Sequence, residues 1–129
     1  MKPLTKEQIV RWHAESIRVH GGADGIRDEG VLDSALASPW ATFGGELLHS
    51  TVPEIAAAYL YYICNGHPFI DGNKRTSAIT ALAFAEINGW RSGFAKGKVA
   101  HFTLQVAKSE LSKAALTVVF ENKLIAPTQ

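Results

Sequence analysis

The chain has 129 residues, 13 basic against 12 acidic side chains, a formal net charge of +1 and one cysteine. That length suits a single domain, 1–129, with a core of its own, and the near-neutral balance excludes a general electrostatic pull towards nucleic acid or an anionic membrane. One cysteine excludes an intrachain disulfide, no apolar run reaches the ~18 residues of a membrane span, and no charged-then-apolar leader opens the chain, so a cytoplasmic location is expected.

Leu4-Thr5-Lys6-Glu7-Gln8-Ile9 predicts a helix start, with Thr5 as N-cap, Gln8 completing a capping box and Leu4 stapled onto Ile9. Ile9, Trp12, His13 and Ile17 follow at helical spacing, and Gly21-Gly22 stops the run. His13 and His20 are expected to be partly buried packing residues. Residues 21–27 read as a loop. Asp28 can cap a short helix carrying Val31, Leu32, Ala35 and Leu36, which Pro39 ends. Residues 40–50 lack helical period. Gly44-Gly45 can turn a small hairpin between Ala41-Thr42-Phe43 and Glu46-Leu47-Leu48.

Thr51-Val52-Pro53-Glu54 is a second capping box with proline in the first turn. Residues 55–64 are apolar on every face, which predicts a central helix, with Cys64 a buried thiol inside it. Asn65-Gly66 should end that helix. A further apolar helix is expected from Asn73 to its stop at Asn88-Gly89. Residues 90–97 read as an irregular connection. Val99, Phe102 and Val106 mark another helix, and Ser112 caps the last, which carries Leu116, Val119, Phe120 and Leu124. No segment except the hairpin reads as strand. The expected fold is all-α, a bundle of about six helices.

The chemistry concentrates between the two apolar helices, in His67-Pro68-Phe69-Ile70-Asp71-Gly72-Asn73-Lys74-Arg75. A helix start presents unpaired N–H groups and partial positive charge, which suit phosphate. Gly72 permits a tight turn there, and Asn73, Lys74 and Arg75 open the helix. A histidine beside an anion seat can take a proton from a hydroxyl nucleophile. A metal hydrolase is a weaker reading, because no second histidine stands near His67 and Asp71 to complete a site.

The stretch resembles the Fic/Doc family, whose motif H-x-F-x-[D/E]-G-N-G-R-x-x-R it matches at His67, Phe69, Asp71, Gly72, Asn73 and Arg75. Six fixed residues at average usage coincide in roughly one chain of this length in several hundred thousand, so chance is a poor explanation. Lys74 stands where the wider family has glycine and Ala78 where it has a second arginine. These departures are the pattern of the death-on-curing branch, which residues 22–36 also resemble.

The resemblance implies a role for each residue. His67 would be the general base towards a hydroxyl of a protein substrate. Phe69 and Pro68 would pin the loop. Asp71 would ligate Mg²⁺, with plain capping of the next helix as its alternative. Gly72, Asn73, Lys74 and Arg75 would bind the phosphates of ATP, Asn73 either touching phosphate or holding the loop. Thr42, Phe43, Gly44 and Gly45 would form a flap that holds the target segment by strand pairing. The implied activity is a toxin that transfers the terminal phosphate of ATP to a Ser/Thr hydroxyl, with a translation factor as target and an antitoxin protein as partner. No direct nucleic-acid or membrane contact is implied. AMP transfer on the same loop is the runner-up, and a non-enzymatic helical binding module the third reading. Thr117-Val118-Val119-Phe120-Glu121-Asn122 matches an inhibitory pattern of Fic proteins. Its usual arginine partner is replaced by Ala78, so Glu121 is expected to be a solvated surface residue.

Overall fold

The computed structural model describes residues 1–128. Six α-helices, counted among those residues, form where caps and apolar period place them. Helix α1, Lys6–His20, opens on a complete capping box: Gln8 N donates to Thr5 Oγ1 at 3.1 Å and Thr5 N to Gln8 Oε1 at 2.8 Å. Gly21 ends it with φ 85°. Helix α2, Glu29–Ala37, is capped by Asp28, whose Oδ1 accepts from Val31 N at 3.0 Å. Pro39 ends α2 as expected, but the chain continues through one 3₁₀ turn, Ser38–Trp40. Proline is tolerated there because the first turn needs no N–H donor.

Strands β1, Thr42–Phe43, and β2, Glu46–Leu47, pair antiparallel with Thr42 opposite Leu47. Gly44 and Gly45 link them at φ 60° and 83°. A two-residue turn of this kind needs φ > 0 at both positions, which only glycine meets without cost.

Helix α3, Val52–Gly66, is the axis of the fold. It touches α2 and three later helices, which explains why residues 55–60, with Ile63 and Cys64, are all buried. Its cap differs in detail from a standard box. Thr51 Oγ1 accepts from Glu54 N at 3.3 Å, but the Thr51 hydroxyl itself donates to Glu54 Oε1 at 2.9 Å. Helix α4, Asn73–Ile87, packs along α3 and stops at Asn88. Beneath them Trp40, Tyr59 and Phe84 form an aromatic cluster with centroids 5.5 to 6.5 Å apart. Trp40 Nε1 donates to the Tyr59 hydroxyl at 2.7 Å, so the buried polar tips are paired.

Helices α5, Lys98–Ala107, and α6, Lys113–Lys123, complete the bundle. One expectation is corrected here. Strands β3, Arg91–Ser92, and β4, Leu124–Ile125, form a second antiparallel ladder where no strand pattern stands in the sequence, so that Leu124, expected on the last helix, belongs to a strand just past its end. Two residues are too few for an alternating signature. The ladder continues where Gly93 N donates to Lys123 O at 2.8 Å, and a Cβ at Gly93 would lie 2.5 Å from that oxygen. Among the described residues no helix is long and apolar enough to cross a membrane.

Candidate active site

The loop between α3 and α4 begins with a conformational exception. Helix α3 runs through Gly66, and His67 takes the left-handed position beyond it, φ 50° and ψ 53°. Glycine usually fills that place, because a Cβ disfavours it. The helix thus stops at Gly66 as expected, but the left-handed residue is the one after the glycine, the candidate base itself.

The loop is zipped to the segment before α2. Pro68 O accepts from Arg27 N at 2.8 Å and Asp28 N at 3.2 Å, and Ile70 N donates to Gly25 O at 3.0 Å. Ile26 bridges Phe69 in β fashion. The Arg27 guanidinium reaches the end of α3, donating through Nε to His67 O at 2.6 Å and through Nη2 to Gly66 O at 3.0 Å.

Phe69 is fully buried and stacks on the His13 ring, centroids 3.8 Å apart and planes within 7°. His13 Nε2 lies 2.7 Å from Asp71 O. A carbonyl only accepts, so Nε2 carries the proton and Nδ1 faces Asp24 Oδ1 at 3.6 Å. His13 is thus wholly buried at 1% exposure, not partly, and braces the loop, whereas His20 is exposed. Of the two tasks foreseen for Asn73, its side chain performs the structural one. Asn73 Oδ1 accepts from Phe69 N and Nδ2 donates to Phe69 O, both at 2.9 Å.

Asp71 does not cap α4. Gly72 is the N-cap, at φ 76°, with no side-chain bond to the helix start. The Asp71 carboxylate is exposed and lies against Gly72 N, 2.8 Å, and Ala23 N, 3.4 Å. A Cβ at Gly22 would sit 2.7 Å from Asp71 Oδ2, so this approach requires glycine. The opening amides of α4, left without a side-chain cap, suit an anion.

These groups face a cleft of about 590 Å³. His67, Asp71, Gly72, Asn73, Lys74, Arg75 and Ala78 line it from the loop and α4, and Ala100, Thr103 and Leu104 from α5. Its size falls in the range of small-molecule sites. His67, Lys74 and Arg75 are exposed at its surface. The α5 wall carries no motif and was not legible in the sequence. Nor were the tasks of His13 and Arg27, which are 58 and 40 positions from their partners.

The hairpin residues Thr42, Phe43, Gly44 and Gly45 stand outside the cleft lining, with Phe43 80% exposed. Glu121 is also exposed and outside it. Cys64 is buried against α5, its Sγ 3.8 Å from Thr103 O, and burial pushes its thiol pKa up.

Among the described residues no group of three or more His, Cys, Asp or Glu side chains could hold a metal ion, so a closed zinc site has no ligand set. Asp71 fits a different arrangement. Mg²⁺ is commonly held by one or two carboxylates with substrate phosphates and water completing the shell.

The family model described as Fic/DOC family matches residues 3–85, which carry every element that builds the loop. The chain is 29% identical over 116 residues to Protein kinase doc of Escherichia phage P1, covering 90% of each chain. It is 42% identical over 69 residues to Toxin Doc of Mycolicibacterium smegmatis, covering 54% of this chain and 53% of that one. The match spans well over half of the chain and contains the zipped loop with its six signature residues, and the protein therefore belongs to the Fic/DOC family.

Proposed function

We propose that this protein, as one domain, transfers the terminal phosphate of ATP to a Ser or Thr hydroxyl of another protein and acts as a toxin restrained by an antitoxin. The observation that carries the reading is the meeting of an exposed histidine, an uncapped helix start and two cations in one cleft. The His67 imidazole takes the proton of the target hydroxyl. The freed oxygen attacks the terminal phosphorus, the bond from that phosphorus to its bridging oxygen breaks, and ADP leaves. Such a base is worth about a hundred- to ten-thousand-fold in rate. The first amides of α4, with Lys74 and Arg75, neutralise the phosphate oxygens, Arg75 offering a fork of donors. Mg²⁺ held at Asp71 would supply further neutralisation of phosphate charge.

Lys74 and Ala78 favour phosphate over AMP. A lysine at position 74 adds a cation and narrows the space a glycine would leave, and Ala78 removes a second arginine from the same wall. The names of the two relatives, a protein kinase and a toxin, support the same reading. A translation factor is the target class we assign, which puts the site of action in the cytoplasm. The antitoxin would be a separate protein with a flexible segment that folds against the toxin. The deciding experiment is the mass of the modified target after incubation with ATP and Mg²⁺. An increment of about 80 Da is expected for phosphate, and one of about 329 Da would make the protein an AMP transferase.

A further inference from the structure

We propose that Arg27 is the positioning residue of this site, holding His67 in its left-handed backbone conformation and so aiming the imidazole into the cleft. The inference rests on His67 being the base.

Two local preferences act against the observed conformation of His67. Its Cβ disfavours φ 50°. Pro68 follows it, and a residue before proline is pushed towards extended backbone. Left to itself, His67 would swing to the extended region and carry its ring elsewhere. Something must hold it, since a strained backbone persists only where its surroundings over-determine it.

The Arg27 guanidinium meets that requirement through which oxygens it takes. Gly66 O belongs to the peptide plane before the His67 Cα, and His67 O to the plane after it. Nη2 donates to the first at 3.0 Å and Nε to the second at 2.6 Å. The guanidinium is planar and presents its donors in a fixed fork. One rigid group bonded to both flanking planes fixes their mutual rotation, which is the φ and ψ of His67. The fork is itself anchored, because Arg27 N and Asp28 N both donate to Pro68 O. Its positive charge also lies at the C-terminal end of α3, where the helix dipole favours a cation. Arg27 does not line the cleft, so its effect on transfer would pass through His67 and not through ATP.

The test uses the purified full chain with two readouts. The first is transfer from ATP to protein in a cell extract by the parent, Arg27→Ala and Arg27→Lys. For Arg27→Ala we expect kcat to fall tenfold or more with KM for ATP within twofold, and for Arg27→Lys an intermediate kcat. A raised KM with unchanged kcat would overturn the proposal by placing Arg27 on the nucleotide. The second is the ¹³Cα and ¹³Cβ NMR shifts of His67, which report its backbone whether or not phosphate moves. They should shift towards extended values in Arg27→Ala, and unchanged shifts would overturn the proposal outright. Should Arg27→Ala not fold, the same shifts decide in Arg27→Lys, whose ammonium cannot reproduce the planar fork. A parent chain that transfers nothing would sink the assignment of His67 as base, while the shifts would still judge Arg27.

Discussion

Asn73 spends both ends of its amide on the backbone of Phe69. It is 8% exposed, and Phe69 is fully buried. Truncation would leave a buried N–H and a buried C=O without partners, each costing about 1–3 kcal/mol. Asn73→Ala should therefore destabilise the fold by about 2–6 kcal/mol in urea denaturation. A loss under ~0.5 kcal/mol would show that water replaces the amide. The motif residues were legible in the sequence because they lie within nine positions and each has a distinct chemistry. The groups that hold them were not. His13 reads as one more residue of an apolar stripe, and nothing near it in sequence announces a bond to Asp71 O. Arg27 reads as a loop cation until the fold brings it to the end of α3. Left-handed backbone at a histidine was equally hidden, since the glycine beside it is the residue that local rules choose for that task.

Among the elements, helix starts and glycine turns were the most legible, because caps act within a few residues. Thr5, Asp28, Thr51 and Ser112 each accept the expected backbone N–H. The Gly44-Gly45 hairpin followed from turn chemistry alone. The β3–β4 ladder joins segments more than thirty positions apart and has no such local cause. The start of α4 carries a prediction of its own. Arg75 is exposed at an uncapped helix start, and Arg75→Ala should weaken ATP binding about tenfold, the order of one charge-assisted hydrogen bond. Unchanged affinity by calorimetry would remove α4 from the phosphate seat. Helix α6 carries the complementary one. Glu121 is exposed and outside the cleft lining, so Glu121→Gly should transfer phosphate no faster than the parent. A tenfold rise would make α6 a built-in inhibitor.

For the whole molecule, the all-α class and the central place of α3 were legible from its unbroken apolar surface. The cleft was not, since its second wall comes from α5, whose lining residues Ala100, Thr103 and Leu104 are ordinary helix formers or helix-tolerant residues. Packing α5 on α3 also buries Cys64, and the core buries Tyr59. Burial pushes both their pKa values up, opposed for Tyr59 by the Trp40 hydrogen bond. A folded pKa above the unfolded one gives stability that is complete below the unfolded value and is lost as pH rises towards the folded value. The urea midpoint should thus hold to about pH 8.5, the ordinary thiol value, and fall above it. Cys64→Ala should fall less steeply, and an equal slope would show that the thiol ionises freely in the folded chain. The central claim is that His67 works as the base of a phosphate-transfer loop. Its most direct test is incorporation of label from γ-labelled ATP into protein of a cell extract by the parent and by a His67→Ala variant of matched far-ultraviolet dichroism. The account predicts a loss of about a hundredfold or more in the variant; a folded variant that labels protein at the parent's rate would contradict it.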